Sequence, residues 1–414
     1  MSEEDDIFPT GLSVEQARAR IVAAVQARNM PAEPVEVSMA VGRILAQDAH
    51  ATRDIPGFAN SAMDGFALRG MDLPTTGEKS FRLVGEVFAG GSIAMPVVAD
   101  ACVRITTGAP LPPGADTVVV KENTRIEGGR IAIAAGTKPG ENVRPAGEDF
   151  RCGELALARG ARLTPARLGV LASLGVARVA VARRPRVVLL TTGDELTAPG
   201  EPLGFGQIHD SNRFSLGALL ESLGAQLFRH ERVRDDPAAL RDALQRAAAD
   251  ADLVVSSGGV SAGEADFLPR LVADIGKVHF WKVRIKPGMP FLFGQVGGAL
   301  LFALPGNPVS GFATCVTLVK PALDAMRGVA EAPTQLHARL RSAIDKRHAR
   351  VEFQRARLEG DAQGVLWALP HARQGSGMLR GVAEADALIA LPEGAHEFAV
   401  GDIVQVLPLP GWPA

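Results

Sequence analysis

Between Arg186 and about Gly328 the chain alternates apolar runs of strand length with amphipathic stretches of helix length, and nothing else restricts its fold as much. The runs Val187 to Leu190, Leu253 to Val255 and Leu300 to Leu304 lack polar alternation, so they read as strands buried on both faces. Asp236 followed by Pro237 marks a helix start, and Leu240 and Leu244 continue its buried face. The pattern predicts a doubly wound α/β domain with a largely parallel sheet. At about 150 residues per domain, the 414 residues leave room for further units.

Those units differ in texture. Ser13 to Asn29 reads as a helix, with Ser13 and Gln16 at capping-box spacing and Val14, Ala17, Ile21, Ala24 and Val25 on one face. Residues 51–149 are β-rich, with strand-like runs at Phe81 to Val87, Thr117 to Lys121 and Arg130 to Ala134 between Gly/Pro clusters. Thr164 to Leu174 is helical again, so the β-rich unit is expected to be an insertion into a discontinuous helical linking domain, 1–50 and 150–184. The α/β domain is expected over 185–331. The tail, 332–414, returns to short strands, Val351 to Leu358, Val365 to Leu369, Ala387 to Leu391 and Ile403 to Leu407, which suit a small β-barrel.

Composition removes several functions. Lys+Arg 44 against Asp+Glu 46 leaves a net charge of −2, which gives no field to attract a nucleic-acid backbone. No apolar stretch reaches membrane-spanning length, and Met1 to Phe8 is acidic where a signal peptide would be basic, so a cytoplasmic protein with no membrane or nucleic-acid partner is expected. Cys102, Cys152 and Cys315 are odd in number and far apart, which suits packing rather than a disulfide framework. The eight histidines show no close pairing at metal-ligand spacing, against a zinc hydrolase. There is no tyrosine and no Gly-x-Ser-x-Gly elbow.

What chemistry remains gathers in loops that leave the carboxyl ends of the predicted strands, where α/β sheets bind ligands. Val187 to Leu190 leads into Thr191-Thr192-Gly193-Asp194-Glu195, the strand ending near Val233 into Arg234-Asp235-Asp236, and Leu253 to Val255 into a loop holding Gly258, Gly259, Ser261 and Asp266. Carboxylates beside Gly/Ser loops suggest phosphate oxygens and a hard cation such as Mg²⁺. Any one of these acids alone would read as a solvated residue, and Asp236 as a helix cap. Lys282 and Lys286 would share a face if that stretch is extended, and would suit an anionic ligand. Pro305-Gly306-Asn307-Pro308 makes a stiff bend at the same sheet edge.

Together these stretches resemble one family, the bacterial MoeA molybdopterin molybdenumtransferases, which are related to the E domain of gephyrin. The matching stretches are Pro56 to Ala67, Arg104 to Ala109, Gly147-Glu148-Asp149, Thr192 to Leu196, Ser257 to Ser261 with Gly263 to Asp266, Lys286-Pro287-Gly288 and Leu304 to Ser310. The resemblance implies an elongated four-domain homodimer. It also implies transfer of molybdenum from molybdate into the dithiolene of adenylylated molybdopterin, with Mg²⁺-dependent cleavage of the pyrophosphate bond and release of AMP. Transient contact with other molybdenum-cofactor biosynthesis proteins is implied as well. The site would lie between the α/β domain of one subunit and the inserted domain of the other. Carried onto matching positions, Asp64, Thr107 and Asp149 are implied from the inserted domain, and Glu195, Asp235 and Asp266 from the α/β domain. Of these, Asp235 and Asp266 would hold Mg²⁺ or orient the pyrophosphate. Gly258, Gly259 and Ser261 would form a cradle, Lys282 and Lys286 would neutralise oxyanions, and Pro305, Asn307, Pro308, Arg373 and Ser376 would border the substrate. Read without the resemblance, Asp64 is the turn-forming half of an Asp-Gly pair. Ala59 and Phe66 depart from the acid and the tyrosine common in relatives. Two other readings stand beside this one, a molybdopterin adenylyltransferase and a non-catalytic scaffold.

Overall fold

The computed structural model describes residues 8–26, 28, 30–91, 95–259, 267–332 and 334–412. Its largest sheet has seven strands in the order Thr10–Leu12, Gly276–Val283, Leu292–Val296, Ala299–Leu304, Leu253–Ser257, Arg186–Thr192 and Gln226–Val233. The last four run parallel, and only Leu292–Val296 runs against its neighbours. The three apolar runs of the sequence are therefore central strands, and every residue from Val187 to Leu190, Leu253 to Val255 and Leu300 to Leu304 is fully buried.

From Arg186–Thr192 the chain crosses first to Gln226–Val233 on one side and then to Leu253–Ser257 on the other. The carboxyl ends of Arg186–Thr192 and Leu253–Ser257 thus form a topological switch point, with Thr191 in register with Ser257. The crossover helix Pro237–Asp250 starts where Asp236 caps it, its carboxylate accepting from the Ala239 N–H at 2.8 Å.

The first helix, Val14–Gln26, opens with the expected reciprocal cap: Ser13 N–H donates to Gln16 Oε1 at 3.0 Å, and Gln16 N–H to Ser13 Oγ at 3.1 Å. The sequence pattern puts this helix in one domain with Thr164 to Leu174. Instead Val14, Ala17, Ile21 and Val25 pack into the α/β core with Phe280, Leu323 and Met326. The reason lies in the short strand Thr10–Leu12, which adds to the edge of the large sheet and carries the helix onto its face. The helix Pro165–Ser173 packs elsewhere, with Ala40, Leu45, Leu163, Val179 and Val181. That smaller unit is discontinuous: Ala32–Glu36 pairs with Arg178–Ala182, and Ala49–His50 with Leu155–Leu157.

The stretch between them folds into a six-stranded sheet ordered Thr117–Val120, Gly65–Leu68, Ala101–Ile105, Glu78–Val87, Arg130–Ala134 and Thr124–Glu127. In the tail, Val351–Gly360, Leu366–Pro370, Leu336–Leu340, Ile403–Pro408 and Ala387–Leu391 pair in that order, and the last closes on the first as a five-stranded barrel. A sixth short strand, Ile285–Lys286, runs parallel to Val351–Gly360 and ties the α/β unit to the barrel. Among the described residues no helix is long and apolar enough to cross a membrane.

Candidate functional site

A cavity of about 940 Å³ opens at the switch point, between the strand ends of the α/β unit and the barrel. Loops after four strands supply its wall: Thr192 and Glu195, Asp235, Gly258 and Gly259, and Pro305 to Pro308. Lys286 enters from the strand that joins the barrel, and Arg350, Glu352, Gln374 and Ser376 from the barrel itself.

Close backbone approach shapes the floor. Gly258 has φ +97°, and a Cβ there would lie 2.5 Å from both the carbonyl oxygen and Oγ1 of Thr192. Its N–H donates to the Leu304 carbonyl at 3.3 Å, so Gly258 serves the cavity by its missing side chain rather than as a donor. Asp210 caps the helix Ser211–Ser222 through the Arg213 N–H and accepts the Thr191 hydroxyl at 2.7 Å. Two residues on, in the first turn, Asn212 Nδ2 donates to Ser257 Oγ at 2.8 Å and to the Gly306 carbonyl at 2.6 Å, tying the helix start to two strand-end loops. The Thr192 hydroxyl is buried without a protein partner.

The Pro-Gly-Asn-Pro bend seats the barrel. Asn307 Nδ2 donates to Ser376 Oγ at 3.3 Å, and Val309 N–H to the Ser376 carbonyl at 3.1 Å. The loop carrying Ser376 is organised by Arg355, a residue that sequence reasoning missed. Arg355 is 1% exposed, and its guanidinium donates to the carbonyls of Arg373, Gly375 and Met378 and to Gln374 Oε1. Burial lowers its pKa, yet carbonyl acceptors from one loop satisfy its fork. Nothing in the mixed stretch Val351 to Leu358, which carries Glu352, Gln354, Arg355 and Arg357, marks Arg355 as the buried one. Asp210, Asn212 and Glu352 were also missed; only the Asp-Ser-Asn start of the Ser211–Ser222 helix hinted at the first two.

Of the predicted residues, Glu195, Asp235, Gly258, Gly259, Lys286, Pro305, Asn307, Pro308 and Ser376 line the same cavity. Ser261 and Asp266 lie outside the described residues. Lys282 and Arg373 are not in the lining. Lys282 has φ +59°, which breaks the extended alternation that would have set it beside Lys286, and its ammonium lies 5.8 Å from the Trp281 ring centre. Arg373 presents its carbonyl to Arg355.

Asp64, Thr107 and Asp149 stand in the inserted unit and its junction, also outside the lining. Asp64 Oδ1 accepts from the Thr107 N–H at 2.8 Å and the Thr107 hydroxyl at 2.9 Å, and Lys121 Nζ is 4.0 Å from Oδ2. The backbone N–H first, then the hydroxyl, holds the Asp64 carboxyl below its ordinary pKa. Asp149 is exposed, with its N–H on the Ile55 carbonyl. Cys102 and Cys315 are buried, and burial pushes both thiols up to about 12, which suits packing.

Three described families match consecutive stretches: the MoeA N-terminal region (domain I and II) over residues 12–175, a probable molybdopterin binding domain over 188–325, and the MoeA C-terminal region (domain IV) over 337–409. A molybdopterin molybdenumtransferase of Haemophilus influenzae is 36% identical over 400 residues, spanning 96% of this chain and 98% of that one. Molybdopterin molybdenumtransferase 2 of Mycobacterium tuberculosis is 37% identical over 406 residues, 94% and 98% of the two chains. The crystal structure of a molybdopterin biosynthesis moeA protein from Pyrococcus horikoshii superposes with a TM-score of 0.84 at 28% identity, over 96% of this chain and 99% of that one. Family regions in this order, relatives matched nearly end to end and a shared architecture place the chain in the MoeA family of molybdopterin molybdenumtransferases, enzymes of molybdenum cofactor biosynthesis.

Proposed function

We propose that the chain transfers molybdenum from molybdate to adenylylated molybdopterin, cleaving the pyrophosphate bond with Mg²⁺ and releasing AMP, in a site completed by a second copy of the chain. The observation that supports this most is the cavity at the switch point, where Glu195, Asp235 and Lys286 meet glycine loops and the Pro305 to Pro308 bend. Acids, a cation and closely approachable backbone around one cavity suit a phosphoanhydride.

Mg²⁺ binds through one or two carboxylates, with water and substrate phosphates completing its shell. Glu195 and Asp235 are donors of that class, and among the described residues no three His, Cys, Asp or Glu gather into an all-protein cage. The donor set therefore fits an ion held jointly by protein and phosphate, with Asp235 its protein ligand and Asp266, outside the described residues, the expected second. Bound there, the ion would neutralise charge on the pyrophosphate oxygens.

The chain's own groups do the rest. Lys286 offers N–H donors to an oxyanion. Gly258 and Gly259 let a phosphate approach the backbone, and Asn307 and Ser376 hold the two halves of the wall in register. Asp64, kept ionised by Thr107, is the acid contributed by the partner copy.

The test is single-turnover release of AMP from adenylylated molybdopterin. Asp235→Asn is expected to fold normally and to slow release by about a hundredfold or more, the scale of lost charge stabilisation. Unchanged release would remove Asp235 from the reaction.

A further inference from the structure

We propose that Glu352 is a positioning residue for this reaction: it fixes the Lys286 ammonium and so sets where the cavity's cation meets an anionic substrate. The inference rests on reading the cavity as the substrate site.

Glu352 belongs to the barrel, whereas Lys286 belongs to the α/β unit. Their strands pair in parallel, with Ile285 opposite Val351 and Lys286 opposite Glu352. Glu352 is 4% exposed. A carboxylate so buried persists only when its oxygens are satisfied. Oε1 lies 3.0 Å from Lys286 Nζ, and Oε2 lies 3.1 Å from His348 Nε2. An ionised carboxylate only accepts, so Nε2 must carry the imidazole proton. Burial lowers the His348 pKa, which favours a neutral ring that donates one hydrogen bond and leaves the Glu352 charge for lysine. Lys346, 2% exposed, lies within electrostatic reach of Glu352, with its ammonium anchored on the carbonyls of His348 and Gly394.

The carboxylate is therefore rigid, held from behind by His348 in a barrel rim that Lys346 braces. Lys286, in contrast, has 43% of its side chain exposed and four flexible methylenes. The contact with Glu352 is an ion pair at one side of the Lys286 ammonium, which leaves N–H donors for ligand oxygens. In this way the docking of the barrel is transmitted to the cation in the cavity. A lysine released from Glu352 would keep its charge and lose its place.

Steady-state molybdenum insertion by Glu352→Gln, Lys286→Met and the double variant tests the proposal, with Glu352→Asp as a control that keeps the charge. Glu352→Gln is expected to lower kcat about tenfold without raising KM, because the charge available for binding remains while its alignment is lost. In the Lys286→Met background the same change is expected to have no further effect on kcat, and Glu352→Asp is expected to retain more activity than Glu352→Gln. An equal loss in both backgrounds, or a loss matched by Glu352→Asp, would assign Glu352 to barrel folding alone and overturn the proposal. If Glu352→Gln fails to fold, the cycle is run with Glu352→Asp, and additive losses there overturn the proposal in the same way. Full activity of Lys286→Met would instead refute the cavity as the substrate site, and the positioning role with it.

Discussion

The acids at the switch point and Asp64 in the inserted unit are held in different ways. Glu195 and Asp235, both exposed, line an open cavity built from four strand ends and the barrel. Asp64 is exposed as well, but its carboxylate takes its geometry from one neighbour, Thr107. The cavity is a product of long-range topology, and a shift in any strand end reaches it. The Asp64 cluster is a local device: a turn carboxylate with two donors from one residue, needing a surface from elsewhere to become a site.

This contrast predicts unequal sensitivity. The largest response is expected at Gly258. A methyl group at φ +97°, 2.5 Å from the Thr192 carbonyl, forces the floor to shift. Gly258→Ala should destabilise the α/β unit by about 1–3 kcal/mol in chemical denaturation, and turnover should fall by about tenfold or more. Wild-type stability and turnover would mean that the floor has slack and that the contrast is overstated.

A smaller response is expected at Thr107. Replacing it with valine keeps the backbone N–H, the larger cause of the depressed Asp64 pKa, and removes the hydroxyl. The carboxyl pKa should rise part of the way toward its ordinary value, readable by NMR titration. A depressed folded pKa stabilises above the unfolded pKa and loses that effect as pH falls through the folded one, so the window lies on the acid side. In Thr107→Val the acid limb of activity should move to higher pH, and part of the stabilisation that the depressed pKa supplies at neutral pH should be lost. A fixed Asp64 pKa would show that the hydroxyl contributes nothing.

The same division explains what could be seen in the sequence. The Ser13–Gln16 cap, the Asp236-Pro237 helix start and the buried runs of the central strands are written in adjacent residues, and each is present in the fold. The strand Thr10–Leu12 is three residues long and has no alternation to betray it, so the sequence pattern groups the first helix with residues 150–184, whereas it packs on the α/β core. Arg355 and Glu352 carry no local signal, because they stand among other polar residues in the strand Val351–Gly360. Their partners, the 373–378 loop and Lys286, are brought by barrel closure and by the pairing of the barrel with the α/β unit. Lys282 was misplaced because a positive φ overrides strand alternation. The Gly-rich loops marked the cavity wall correctly as a place, but only coordinates could show that the Gly258 N–H is already committed.

The central claim is that the cavity of one chain is completed by the Asp64 cluster of another. Mixing Asp64→Ala chains with Asp235→Ala chains, each inactive alone, and isolating the mixed dimers tests it directly. One site per mixed dimer would hold both acids, so activity should return to about half the wild-type level per dimer. Mixed dimers as inactive as their parents would contradict a site shared between two copies.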